Sequence, residues 1–159
     1  MAKTQITAEP GQPTIEMTRV FRAPPELLLR TWTDPDLVVR WLGPRDHTMT
    51  IDTWEARDGG RWRYVGHGPD GAEYAFHGVF HGTPSTERLV QTFEFEGAPG
   101  HVSLDTLTFE PQPDGTTLTR SLSVFQSVGA RDAMVQSGME SGVNDGYERL
   151  DALVATLAD

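Results

Sequence analysis

The last part of the chain constrains the fold most, because its apolar residues have the period of one long helix. Between Arg131 and Leu157 apolar side chains recur every three or four residues, which is the spacing of one face of an α-helix. We therefore predict a single closing helix over 131–157. Its apolar face contains Val135, Met139, Val143, Tyr147, Leu150, Val154 and Leu157.

Three glycines fall within the same segment. Gly138, Gly142 and Gly146 are four residues apart, so they share one side of the predicted helix. Each glycine costs a helix interior about 0.5–1 kcal/mol relative to alanine. We expect a compensating gain, which is either the close approach of another backbone or open space beside the helix.

Most of the chain before this helix alternates between apolar and polar residues, which is typical of strands with one covered face. Turn sequences such as Pro69-Asp70-Gly71 and Pro113-Asp114-Gly115 separate these segments. Such short connections favour antiparallel neighbours. Seven strands are predicted, over residues 14–21, 48–55, 60–67, 73–81, 89–96, 102–110 and 116–125.

Two short helices are predicted after the first strand. Pro24 and Pro25 suit a helix start, and Asp34 followed by Pro35 is a good N-cap for a second helix. Seven strands with one long helix as cover must curl around it. The predicted fold class is therefore α+β with a helix-grip architecture, formed by a single domain over 14–159 after a flexible tail over 1–13.

Composition excludes several classes of function. The net charge of −10 argues against nucleic-acid partners, and the chain has no cysteine for disulfides or zinc-thiolate sites. No apolar run approaches the roughly 20 residues that span a bilayer, so no membrane insertion is expected. The first residues lack the apolar core of a signal peptide, which makes a cytoplasmic location the default expectation.

Several ordered motifs resemble a known family. Thr31-Trp32-Thr33-Asp34-Pro35, followed by Arg40-Trp41-Leu42-Gly43-Pro44, is similar to the signature of the family named for the activator of Hsp90 ATPase, within the START/Bet v 1-like superfamily. Further blocks match in order and spacing, and Gly138-Met139 and Gly142 lie where the closing helix of the family has its glycines. These blocks are Gly59-Gly60-Arg61-Trp62-Arg63-Tyr64, Pro69-Asp70-Gly71, Gly78-Val79-Phe80 and Glu87-Arg88-Leu89-Val90.

The resemblance implies a seven-stranded antiparallel sheet wrapped around the C-terminal helix, with a cavity between them. Known roles in the superfamily include binding of lipids or other apolar molecules, cochaperone action on Hsp90, and occasional cyclase or hydrolase activity. The family usually has tryptophan directly after the second helix glycine, where this chain has Val143. A smaller side chain there predicts a larger or reshaped cavity, unless Phe93 or Phe95 fills the space.

Inward-facing residues of the strands and the helix are the candidates for a cavity wall. The alternative is that they pack as an ordinary solid core. The candidates are Trp62, Tyr64, Tyr74, Phe76, Phe80, Leu89, Phe93, Phe95, Leu107, Phe109, Leu118 and Leu122 from the strands, and Met139, Gly142, Val143 and Tyr147 from the helix.

Polar residues at strand positions that alternate in step with these inward-facing residues are candidates for contacts to a ligand. Arg120 lies between Leu118 and Leu122, so it is predicted to face inward and to pair with a ligand carboxylate or with Asp105. The alternatives are that a bulge turns Arg120 outward or that its long stem reaches the rim. Gln91 is a second candidate for a polar contact.

Other patterns do not support metal or cofactor sites. His77 and His81 are about 13 Å apart along a strand at about 3.3 Å per residue, too far to share one zinc ion. Gly66 to Gly71 fits G-x-G-x-x-G, but a strand follows it where a dinucleotide site needs a helix. Glu94 and Glu96 occupy the polar parity and are expected to face water. We therefore predict neither a metal nor a cofactor.

Three functions remain open at this stage. The first is non-catalytic binding or transport of a small apolar molecule, lipid-like or aromatic, by a monomer or homodimer. The second is interaction with an Hsp90-type chaperone. The third is a cyclase or dehydratase activity, which needs an acid–base pair inside the cavity. Its candidate groups are Arg120, Asp105, Tyr64, Tyr74 and Tyr147.

Overall fold

Eight antiparallel strands form one sheet in the computed structural model, which describes residues 3–158. Neighbours in the sheet follow the order β1-β2-β8-β7-β6-β5-β4-β3, so β3 to β8 form a meander and β2 closes against β8. The strands are β1 Gln5–Thr7, β2 Thr14–Phe21, β3 Thr48–Trp54, β4 Arg61–His67, β5 Glu73–Val79, β6 Arg88–Phe95, β7 Val102–Pro111 and β8 Thr117–Val124. The predicted α+β helix-grip class is confirmed, with one strand more than expected.

The additional strand lies in the segment that was predicted to be a flexible tail. In β1, Gln5 pairs with Thr18 and Thr7 with Glu16 of β2. A neighbouring hydrogen bond holds the segment, since the Arg19 guanidinium donates to Thr4 Oγ1 at 2.9 Å. The sequence 5–7 is too short to show alternation, so only pairing to β2 makes it a strand.

Four helices accompany the sheet within the described residues: α1 Pro25–Thr33, α2 Pro35–Val38, α3 Val128–Gln136 and α4 Met139–Leu157. The Asp34 carboxylate caps α2 by accepting from Asp36 N at 2.9 Å. Ser127 caps α3 in the same way by accepting from Ala130 N at 3.0 Å. The two N-terminal helices begin where their prolines predicted.

The closing segment is two helices, so the prediction of a single helix over 131–157 is wrong. Gly138 has a φ of 85°, which lies in the left-handed region and ends α3 before α4 begins. The residue that appeared to weaken the interior of one helix therefore forms the corner between two. Apolar periodicity persists across this corner, and for that reason the sequence pattern did not reveal it.

The other two glycines stand where α4 meets the segment after α2. A Cβ atom at Gly146 would lie 3.1 Å from the Trp41 carbonyl oxygen and 3.5 Å from Gly43 N. At Gly142 it would lie 3.4 Å from Cγ of Pro44. Close backbone approach therefore explains Gly146, whereas Gly142 faces a side chain at ordinary contact distance.

Helix α4 is packed along its C-terminal half. Its buried residues are Gly146, Tyr147, Leu150, Leu153 and Val154, and the last four belong to the main apolar core of the protein. The N-terminal turns, from Met139 to Val143, are only partly buried. Burial of apolar surface therefore fixes one half of the helix and leaves the other half standing over the sheet.

An ion pair joins the packed half of α4 to the sheet. The Arg19 guanidinium of β2 pairs with Asp151, and the Arg19 side chain is only 5% exposed. The same guanidinium lies over the Phe21 ring, 5.5 Å from its centroid. A buried cation of this kind depends on its partner, because removal of that partner leaves an uncompensated charge.

We expect Gly142→Ala to stabilise the protein and Gly146→Ala to stabilise it less or to destabilise it. Alanine in a helix interior is better than glycine by about 0.5–1 kcal/mol, and the site at 142 has room for the methyl group. At 146 the Trp41 carbonyl must move. Urea denaturation of both variants measures the difference, and an equal gain at both positions would contradict the close approach at Gly146.

We expect Asp151→Ala to lower the free energy of unfolding by about 1–3 kcal/mol, because it leaves the Arg19 guanidinium buried without its counter-ion. The matched control is Glu148→Ala on the same helix. Glu148 pairs with Arg45 at 2.8 Å, but both side chains are more than half exposed, so its loss should cost less than about 1 kcal/mol. Equal effects in thermal denaturation would show that the Arg19–Asp151 pair does not anchor α4.

Candidate functional site

A cavity of about 1150 Å³ lies between the sheet and helices α3 and α4. Ligand pockets usually measure about 300–1,000 Å³, so this space is far larger than a packing defect. Exposed lining residues, among them Tyr74, His101 and Ser137, place its opening between the α3–α4 corner and the end of the sheet where β5 and β7 begin. The unpacked half of α4 forms part of the roof.

Aromatic rings from β4, β5 and β6 form one side of the wall. The Trp62 and Tyr64 rings are stacked with their centroids 5.7 Å apart, and Phe76 lies 5.1 Å from Tyr64 and 5.3 Å from Phe93. Gly78 makes room for this arrangement, since a Cβ atom there would lie 2.6 Å from Nε1 of Trp62. The rings form a continuous row of stacked and tilted pairs along the sheet, and all four residues line the cavity.

Most of the residues predicted for the wall do line the cavity. They are Trp62, Tyr64, Tyr74, Phe76, Leu89, Gln91, Phe93, Phe95, Leu107, Met139, Gly142, Val143 and Tyr147. The remaining candidates, Phe80, Phe109, Leu118, Arg120 and Leu122, do not.

Phe80 and Phe109 belong to the solid core at the closed end of the sheet. Phe80 is completely buried and lies 6.0 Å from the Trp54 ring, and Phe109 lies 5.8 Å from the Trp32 ring. Both side chains point to the inner face of the sheet as predicted, but the neighbouring aromatic rings fill the space in front of them.

Leu118, Arg120 and Leu122 face the outer side of β8, so their predicted inward orientation is wrong. The Arg120 guanidinium pairs with Glu16 at 3.1 Å and lies 3.8 Å from Glu110, so it meets neither a ligand in the cavity nor Asp105. The exposed fraction of its side chain is 42%.

The reason is that β8 turns its hydroxyl side chains inward. Thr117 and Thr119 are buried and donate to the backbone oxygens of Ala23 and Arg19 at 2.7 and 3.0 Å. Ser121 and Ser123 line the cavity. Buried hydroxyls with backbone partners cost little, so the rule that the apolar face points inward fails for this strand.

Polar side chains from β6, β7 and β8 form the second side of the wall. Asp105 lies directly across from Gln91 on β6 and from Ser123 on β8. The Ser103 hydroxyl donates to the Asp105 carboxylate at 3.1 Å. Burial raises the pKa of Asp105 to about 6, although hydrogen bonds from Ser123 and Ser103 lower it in part. The serines of β8 were missed, because an isolated serine in a strand carries no signal for a cavity.

Tyr64 and Tyr147 also border the cavity and remain neutral at physiological pH. Burial raises the pKa of Tyr64 above its ordinary value and that of Tyr147 to about 12. Both phenols therefore keep their protons and can donate hydrogen bonds. Of the acid–base groups considered from the sequence, Arg120 is excluded from the cavity, while Asp105 and the three tyrosines line it.

Trp32 and Trp41 line the cavity on the side of the two short helices. Their ring centroids are 4.9 Å apart, and Trp41 Nε1 donates to the Thr31 carbonyl at 2.9 Å. Both rings also lie 6.2 Å from Tyr147 of α4. The cluster connects the short helices to the packed half of α4.

His77, His81 and the paired glutamates Glu94 and Glu96 do not line the cavity. His77 contacts Glu96 at 2.9 Å and Glu94 at 3.3 Å on the outer face, and Arg63 donates to Glu96 at 2.7 Å. Hydrogen bonds from Arg63 and His77 lower the pKa of Glu96 to about 2. Among residues 3–158 no group of three or more acidic or histidine side chains is placed to hold a metal ion.

We expect Asp105→Asn to stabilise the protein at pH 8 by about 1–3 kcal/mol. The folded-state pKa of Asp105 is about 6 and lies above the ordinary value of 3.8. As the pH rises, the native state therefore keeps the Asp105 proton at pH values where the unfolded chain has already lost it. Its free energy of unfolding therefore falls as the pH rises from about 4 to about 6 and stays lower above that.

Asparagine at position 105 should remove this fall and leave stability at pH 4 nearly unchanged. Chemical denaturation between pH 4 and pH 8 measures the effect. Glu110→Gln, on the outer face of the same strand, is the control and should change stability by less than about 1 kcal/mol. A destabilised Asp105→Asn variant at pH 8 would contradict the burial of an ionised carboxylate.

Solved structures of bacterial proteins share this fold. A protein from Rhodobacter sphaeroides is 30% identical over 96% of this chain and 98% of its own, with a TM-score of 0.86. Protein Ms6760 from Mycobacterium smegmatis is 25% identical over 94% of this chain and 95% of its own, with a TM-score of 0.84. An Arthrobacter aurescens protein is 26% identical over 96% of this chain and 91% of its own, with a TM-score of 0.86.

None of the curated proteins matches the chain. Within residues 3–158, no helix combines the length and apolar character that crossing a bilayer requires. A family model described as Activator of Hsp90 ATPase homolog 1-like protein matches residues 22–155, which confirms the resemblance seen in the motifs. The chain therefore belongs to the family of Activator of Hsp90 ATPase homolog 1-like proteins.

Proposed function

We propose that this protein binds a small, largely apolar molecule in the space beneath α4, without chemical conversion of that molecule. The observation that carries this proposal is the aromatic side of a cavity of about 1150 Å³. Rings that face a void lose dispersion contacts, which an apolar occupant restores. A ligand of this class also removes the ring surfaces from water, which favours binding.

Val143 supports the proposal from the roof of the cavity. It lies on α4, lines the space and is only partly buried, at the position where the family usually has tryptophan. Phe93 and Phe95, which would have to refill this volume, contact Phe76 along the sheet. The space next to Val143 therefore stays open, and the proposal assigns it to the ligand.

The alternatives stay predictions. The family description refers to an activator of Hsp90 ATPase, and interaction with an Hsp90-type chaperone stays a prediction from that family alone. A cyclase or dehydratase would use the same cavity and needs an acid–base pair there. Asp105 and the cavity tyrosines are the groups that remain for such a pair, and binding without catalysis needs neither.

A cavity-filling substitution tests the proposal with N-phenyl-1-naphthylamine, a neutral probe whose fluorescence rises in apolar surroundings. We expect the wild-type protein to enhance its emission saturably. Val143→Trp should weaken binding of the probe about tenfold or more, because the indole occupies ligand space. The free energy of unfolding should stay equal or rise, since filling a void restores packing contacts.

The matched control is Val124→Trp on the outer face of β8, where Val124 is 39% exposed. It adds the same indole away from the cavity and should leave probe binding unchanged. Failure of the wild-type protein to bind the probe, or equal binding by wild type and Val143→Trp, would overturn the proposal. Native mass spectrometry of freshly purified protein provides a second measurement of bound small molecules.

A further inference from the structure

The two sides of the cavity wall differ in chemistry. Aromatic rings line the cavity on β4, on β5 and on the C-terminal half of β6, whereas hydroxyl and amide groups line it on the side towards β8. The polar side is centred on one row across three strands, in which Gln91, Asp105 and Ser123 are direct neighbours. Such a wall matches a molecule with an apolar body and one polar group.

Asp105 determines which polar group fits. Its pKa lies below physiological pH, so the carboxylate is mainly ionised and acts only as an acceptor. Among residues 3–158 its hydrogen-bond partners are the neutral hydroxyls of Ser103 and Ser123, and it has no ion-pair partner. The Asp105 side chain is partly buried. A carboxylate withdrawn from water without a cation is unfavourable, and a ligand that brings a positive charge reduces that cost.

The rest of the wall gives an anion no counter-charge. Within the described chain, neither lysine nor arginine lines the cavity. The basic groups that do are two histidines near the opening: His47, which contacts Asp46 at 2.8 Å, and the exposed His101. The net charge of −10 also attracts cations and repels anions. A fatty acid or aromatic carboxylate would therefore enter against the local field.

We propose that the cavity recognises a cationic amphiphile, whose protonated amine binds the Asp105 carboxylate while its apolar body lies along the aromatic side of the wall. This inference rests on the proposed function and adds the chemical class of the ligand to it.

The neighbouring rings suit such a ligand. Phe93 lies directly across from Ser103, the residue whose hydroxyl donates to Asp105. The first aromatic ring is therefore in the inward-facing residue pair next to the one that contains Asp105. Trp62 lies 5.9 Å from Phe93 and continues the ring surface. An ammonium bound at Asp105 can contact a ring face, and the adjoining carbon skeleton lies over the remaining rings. Ser103 and Gln91 provide further acceptors for the N–H groups that Asp105 does not receive.

Three probes of one shape test the inference at pH 8. They are 2-(1-naphthyl)ethylamine, 2-(1-naphthyl)ethanol and 1-naphthylacetate, which differ in head-group charge. Isothermal titration calorimetry with the wild-type protein should give the amine an affinity about tenfold or more above that of the alcohol, with the carboxylate weakest. This comparison needs no variant, so it holds whatever a substitution does to folding.

The Asp105→Asn variant identifies the group responsible. It should lose most of the preference for the amine and keep its affinity for the alcohol, while Glu110→Gln on the same strand should bind all three probes as the wild type does. A residue with only a structural role would not change the order of the probes.

The outcomes separate the two proposals. If the alcohol binds and the amine binds no more tightly, or if Asp105→Asn keeps the amine preference, the cavity binds apolar molecules and the inference about the amine is wrong. If both the amine and the alcohol fail to bind, the proposed function falls and the amine inference falls with it. Tightest binding of the carboxylate would also overturn the inference.

Discussion

The cavity depends on the way in which α4 is attached to the sheet. Tyr147, Leu150 and Val154 are buried in the core, and the Arg19–Asp151 ion pair ties the same half of the helix to β2. In the other half Met139 and Val143 are only partly buried, and both line the cavity. A helix anchored at one end in this way can roof a space without collapsing into it, because the packed half sets its direction.

The corner at Gly138 completes the roof. It redirects the chain from α3 to α4, so that both helices border the cavity. Arg131 fixes α3 in turn, since its buried guanidinium donates to the backbone oxygens of Glu9 and Thr14 at 2.9 and 3.1 Å. The segment around β1 is therefore part of the support for the cavity, and the roof is held at both of its ends by buried arginines.

The polar side of the wall works against stability. A solid core would place an apolar residue at 105, because a partly buried carboxylate with only neutral partners and a raised pKa lowers the free energy of unfolding at neutral pH. The neighbouring hydroxyls of Ser103 and Ser123 reduce this cost without removing it. Groups that oppose folding and face a cavity are typical of binding sites, where a ligand supplies the missing interaction.

The sequence by itself determined the fold class, the antiparallel meander and most of the aromatic wall, because alternating apolar residues and turn motifs act locally. Tertiary structure decided the rest. The strand at 5–7 exists only through pairing with β2, and the inner face of β8 is polar because Thr117 and Thr119 find backbone acceptors on other segments. The break at Gly138 lies inside an unbroken apolar period, so only packing against separate neighbours distinguishes two helices from one. Periodicity reports which side of an element is covered, but the partner and the space left between them depend on the whole chain.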